Sequence, residues 1–228
     1  MKKQPRVIDL THTVSADVPA WDGKADFELL TTTDYPDCVP PNLFRINKLA
    51  MGVSVGTHID APAHVIPGGR TVDQLTPEEL VADCVVIDVS AKADQNYLVT
   101  PADIEVFEQA HGTILEHTLV IIYTGWSKWW DTPAHYHNDH VFPGVTTAAA
   151  ELLVRRNIVG LAIDTFSCDT GQDGFPVHRA VLGADKYLVE NVANADLLPP
   201  FGATAVVLPT KLKDATEAPL RLVALVEA

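Results

Sequence analysis

Short runs of aliphatic and β-branched residues punctuate this chain at 85–89, 119–123, 158–163, 205–208 and 220–226. None alternates between apolar and polar positions over its whole length. A largely apolar run of this size is what a strand covered on both faces requires, so these five segments are predicted to form a buried core sheet. Helical signatures lie between them. Thr100 precedes Pro101 as an N-cap before the first helical position, and Thr76 with Pro77 repeats the arrangement on a shorter scale. A third helix is predicted from Thr146 or Thr147 to Arg156, with Asn157 as its stop. Strands alternating with helices predict an α/β architecture with a mixed sheet core.

The segment from Ser54 to His64 follows neither pattern. Gly56 and Pro62 oppose a helix, so an extended stretch is predicted in which His58 and Asp60 project to the same side, followed by a turn that carries His64. An imidazole and a carboxylate then converge on one point. They are the right donor types for zinc or manganese.

Bulk composition narrows the field. Of 228 residues, 47% are hydrophobic and 20% charged, the balance of a globular protein, and the length predicts one domain over 1–228. Sixteen Lys and Arg against 30 Asp and Glu give a net charge of −14, which repels phosphate backbones and anionic membrane surfaces, so neither nucleic acid nor membrane is an expected partner. Cys38, Cys84 and Cys168 are widely spaced and suggest neither a disulfide framework nor a thiolate zinc site. With no signal-like or membrane-spanning apolar stretch in the sequence, a soluble cytoplasmic protein is expected.

The residues Gly56, Thr57, His58, Asp60, Pro62 and His64 match the HxGTHxDxPxH signature of the cyclase family of metal-dependent hydrolases, which includes bacterial kynurenine formamidases and isatin hydrolases. The resemblance covers most of the chain. The stretch from Asp9 to His12 resembles the family's N-terminal strand, Thr124 to Trp126 the end of its central strand, and Ile163 to Ser167 a later one. His178 and Glu190 match the remaining ligand positions. One position departs: Ser54 stands where the family carries a His ligand.

The resemblance implies a layered β/β/α domain of the swivelling type, a homo-oligomer, dimer or tetramer, and one or two divalent ions, Zn2+ or Mn2+, held by His58, Asp60, His178 and Glu190, with Ser54 as an additional site position. It implies hydrolysis of an amide, formamide or lactam, His64 serving as general base and then general acid. A lactone would react by the same route. Loss of the family His at Ser54 leaves a non-catalytic binding homologue as the alternative of another kind. Trp21, Trp126 and Phe44 are candidate surfaces for an aromatic or cyclic substrate, with core packing as their other reading.

The segment from His135 to His140 fits the HxHxDH pattern of metallo-β-lactamase-like hydrolases. That family needs two further histidines downstream, and only His178 follows. A polar surface loop near the mouth of the site is the preferred reading.

Overall fold

The structure, a computed structural model, describes residues 4–171 and 174–227. The strands are β1 (Arg6–Asp9), β2 (Phe27–Thr33), β3 (Ile46–Met51), β4 (His58–Asp60), β5 (Val81–Asp88), β6 (Leu98–Val99), β7 (Leu119–Tyr123), β8 (Gly144–Val145), β9 (Gly160–Ile163), β10 (Tyr187–Glu190), β11 (Ala203–Pro209) and β12 (Glu217–Val226). The helices are α1 (Pro77–Leu80), α2 (Pro101–His111), α3 (Pro133–His137), α4 (Thr147–Arg155) and α5 (Pro176–Leu182).

Eight strands form one mixed sheet in the order β1-β12-β11-β5-β7-β9-β10-β4. Strands β5, β7, β9 and β10 run parallel, and the others join antiparallel. The long β12 closes the sheet. Its residues 220–226 pair with β11, while Glu217, Ala218 and Pro219 pair with Asp60, Ile59 and His58 of β4. The sheet thus curls back on itself and encloses a core of Cys84, Val86, Leu119, Ile121, Val189, Ile59, Ala205 and Leu222.

The opposite face of the parallel strands packs on helices. Val85, Ile87, Val120, Ile122, Leu161 and Leu188 meet Ile104 and Phe107 of α2, Ala149, Ala150 and Leu153 of α4, and Val177 and Val181 of α5. Two sheet layers and a helix layer result, the expected β/β/α arrangement. The central runs lack alternation because both faces are covered. Each buried Leu or Ile there is worth about 2–5 kcal/mol against truncation to Ala.

The predicted helices start as expected. The Asp103 carboxylate accepts from Thr100 N at 2.7 Å, and Thr146 Oγ1 accepts from Ala149 N at the head of α4. Strands β2 and β3 were not foreseen. They pair only with each other among the described residues, as an arm that leaves Leu29, Leu30, Ile46 and Leu49 about half exposed. No helix among the described residues is long and apolar enough to cross a membrane.

Candidate metal centre and pocket

Strand β4 carries out the sorting its sequence predicts. Ile59 enters the enclosed core, so His58 and Asp60 face the other way, and all three are buried. The register with β10 sets Glu190 directly opposite His58. Helix α5 brings in His178, as buried as the others. Two pieces of chain far apart in sequence therefore meet. His58 Nε2 lies 3.4 Å from Asp60 Oδ1 and 3.6 Å from Glu190 Oε2, and His178 Nε2 lies 3.5 Å from both Asp60 Oδ2 and Glu190 Oε1.

The remaining ring nitrogens decide how these imidazoles present themselves. His58 Nδ1 donates to the Gly56 carbonyl at 2.9 Å, and His178 Nδ1 donates to Asp169 Oδ2 at 2.7 Å. With Nδ1 donating in each ring, both Nε2 atoms face the two carboxylates. This is how a protein prepares histidine to ligate a metal. Gly56 adopts φ +81°, and a Cβ there would meet Val14 at 2.7 Å, so the carbonyl that aims His58 depends on glycine.

Electrostatics describe the same box. Burial opposes ionisation of Asp60, but the imidazoles of His178, His58 and His64 hold its pKa below the usual carboxylate range. Glu190 is pushed well above that range by burial and by the charge of Asp60. Burial works against a charged His178, yet Asp169, Asp60 and Glu190 outweigh it and carry the pKa up to about 10.

The donor set fits a divalent cation. Both Asp60 oxygens are buried without a hydrogen-bond partner, a costly arrangement for a carboxylate unless something positive sits against it. Ligand atoms about 2.1 Å from a common ion lie roughly 3–3.5 Å from each other, the spacing seen here. Two imidazoles and two carboxylates suit zinc or manganese. Among the described residues, the side chains close enough to share an ion form two trios with Asp60 in common: His58, Asp60 and Glu190, and Asp60, His64 and His178.

These groups lie at the floor of a cavity of about 580 Å³. Ser54, Trp21 and His64 line it, as do Phe166 and Phe175. His64 sits in a single 3-10 turn, Pro62–His64, and its Nδ1 is 3.2 Å from Glu217 Oε2 at the start of β12. Glu217 raises the imidazole's pKa above its ordinary value against the effect of burial. Sequence reasoning missed Glu217 and Asp169. No short motif contains either, although the register that sets Glu217 opposite Asp60 follows from β12 closing the sheet.

Two candidates belong elsewhere. Trp126 is buried in a cluster with Trp130, Tyr136 and Phe166, and its indole N–H donates to the Tyr136 carbonyl, so it is core. Phe44 lies between the strands of the exposed arm and is absent from the cavity wall. Asp164 braces a turn: its carboxylate accepts from Thr124 N and Oγ1 and from Ser127 N. His135 packs against Trp129, with ring centroids 3.8 Å apart, and no metal-capable group among the described residues includes His135, His137 or His140.

The chain is similar to known proteins over nearly its whole length. The family model for Cyclase matches residues 8–170. Isatin hydrolase of Roseibium aggregatum is 32% identical over 96% of this chain and 91% of its own length. Kynurenine formamidase of Erythrobacter litoralis is 22% identical over 93% of this chain and 90% of its own. The solved structure of isatin hydrolase A from Ralstonia solanacearum superposes with a TM-score of 0.90 and 35% identity, covering 97% of this chain and 92% of that one. These relatives are hydrolases of one family, matched here along nearly their full length, and the chain belongs to the cyclase family.

Proposed function

We propose that residues 1–228 form a single hydrolase domain that cleaves a non-peptide C–N bond, in an amide, formamide or lactam, of a small flat molecule of the isatin or N-formylkynurenine type. The observation that carries this reading is the Asp60 carboxylate, buried without a hydrogen-bond partner between two imidazoles whose Nε2 atoms face it. His58, Asp60, His178 and Glu190 would hold one zinc or manganese ion. Ser54 at the cavity wall, a poor ligand, favours one ion over two. When bound, such a cation supplies Lewis acidity toward the scissile carbonyl and lowers the pKa of water.

The chain's own groups do the rest. Glu217 accepts from His64 Nδ1, which leaves His64 Nε2 free to take a proton from the attacking water and return it to the leaving nitrogen. Trp21, Phe166 and Phe175 offer aromatic wall to a planar substrate. The three free cysteines favour a reducing, cytoplasmic setting.

A homo-oligomer, dimer or tetramer, completes the proposal. On the arm and its tip Leu29, Leu30, Tyr35, Val39, Leu43, Phe44, Ile46 and Leu49 are each about half exposed or more. Exposed apolar side chains gathered in this way are the kind of surface that a second copy of the chain would cover.

The test is reconstitution of the purified protein with zinc or manganese, followed by assays on isatin and N-formylkynurenine. His58→Ala is expected to lose the metal. His64→Ala is expected to keep it and lose about 100- to 10,000-fold in turnover. His135→Ala should change neither. A wild-type protein inactive with every metal would be a binding homologue, and full activity in His64→Ala would remove the proton carrier.

A further inference from the structure

The histidine-rich segment at 135–140 is not used by the chemistry above, yet it is built at a cost. Asn138, Asp139 and His140 have φ values of 40°, 50° and 61°, three successive non-glycine residues in the left-handed region. L-residues enter that region at roughly 1–2 kcal/mol each and rarely in succession. Such strain persists where surrounding contacts over-determine it.

The contacts converge on one atom. His137 Nε2 lies 2.9 Å and His140 Nε2 2.8 Å from the carbonyl oxygen of Trp21, more than a hundred residues away in sequence. A carbonyl only accepts, so both Nε2 atoms carry hydrogen and neither is a free metal donor. The left-handed turn folds His140 back beside His137, with ring centroids 4.4 Å apart. His140 also packs against the Trp21 indole, with centroids 4.2 Å apart, and the indole meets Phe166 edge-on at 6.2 Å. Trp21 and Phe166 both line the cavity over the metal centre.

We propose that His137 and His140 are positioning residues: together they fasten the Trp21 carbonyl and so hold its indole as one wall of the cavity, setting the grip on flat ring substrates. The link to substrate rests on the function proposed above, while the clamp itself does not. A histidine pattern that imitates a metal motif is on this reading a two-pronged hydrogen-bond donor.

Lys24 lies three residues beyond Trp21 in the same exposed loop and gives a direct readout, because trypsin cuts after it only when the loop opens. His137→Ala/His140→Ala is expected to speed cleavage after Lys24 about fivefold or more, with cleavage after Lys48 in the arm as the internal reference. His137→Gln/His140→Gln, whose amides can donate to the same carbonyl, should return the rate toward that of the wild type. In steady-state assays the double Ala variant should raise the KM for isatin about tenfold and leave kcat within about twofold, and adding Trp21→Ala should raise KM no further. If the double Ala variant does not fold, His140→Ala alone carries the comparison. Unchanged cleavage after Lys24, or faster cleavage with unchanged KM, overturns the proposal. If the wild-type protein hydrolyses neither isatin nor N-formylkynurenine, the functional reading falls, and the cleavage comparison alone decides the clamp.

Discussion

Strand β4 and the β2–β3 arm are neighbours in sequence and both extended, yet they treat their side chains in opposite ways. In β4 every residue is buried, and its alternation separates a core isoleucine from two polar groups that face a cavity. In the arm nearly every residue is exposed, and apolar side chains stand on both faces, with Leu29 directly across from Leu49. A strand reads clearly when one chain supplies both its partner and its cover. Where the cover has to come from outside, alternation has no buried side to mark, and the same physics leaves an apolar surface unexplained by its own fold.

The hardest blow to the buried side of this comparison is Asp60→Asn. It removes the carboxylate shared by both trios of possible ligands, and with it the negative charge that, after burial, raises the pKa of Glu190. Cation affinity is expected to fall by well over about 100-fold, more than the 10- to 100-fold that loss of an outer partner costs. Ile59 still fills the core, so thermal unfolding should stay cooperative. Calorimetric metal titration beside a melting curve checks both halves, and a variant that binds the cation as the wild type does would remove Asp60 from the centre.

A milder change tests the support behind the ligands. Asp169 takes the His178 Nδ1 hydrogen and, at 2.9 and 3.0 Å, the backbone amides of Val177 and His178. Asp169→Asn keeps the shape but can turn an amide N–H toward Nδ1, which then must accept, shifting the hydrogen to the nitrogen that faces the carboxylates. Metal affinity should drop about 10- to 100-fold, with the metal-free fold retained. The same titration reads it.

These two residues also show how far the chain could be read before its structure. Gly56 and Pro62 oppose a helix and so put His58 and Asp60 on one side of an extended segment, but it is the resemblance to the cyclase signature that marks them, with His64, as a candidate site. The strands containing 85–87 and 119–123 were legible because burial on both faces leaves a run of apolar residues without alternation. Asp169 and Glu217 were hidden, since no short motif ties Asp169 to His178 and Glu217 meets a His64 far away in sequence, so only the fold shows either pairing. Trp126 kept two readings for a related reason. An indole suits a core or a binding wall equally well, and its placement depends on whether Tyr136 or solvent takes the N–H. The arm escaped because its residues 27–33 mix Leu with Glu and Thr, a composition that resembles a loop until the pairing is known.

The smallest expected effect on the fold falls on that arm, and it sharpens the contrast most. Leu29 and Leu49 form a cross-strand pair that is more than half exposed and lies outside the cavity wall. Leu29→Glu/Leu49→Glu places two carboxylates on one another across the pair, on a chain that already carries −14. Within one chain neither substitution uncovers a core residue, so each should change stability by no more than about 0.5 kcal/mol. Between chains the cost multiplies, because a symmetric interface meets the same patch twice and would bury four like charges where it had buried leucines. Sedimentation should therefore show the wild type assembled and the variant as single chains, with metal content unchanged and turnover per chain within about threefold. A wild type that sediments as a single chain at micromolar concentration would leave the arm's exposed leucines without the partner proposed for them. A variant that stays assembled would move the interface to another face of the molecule.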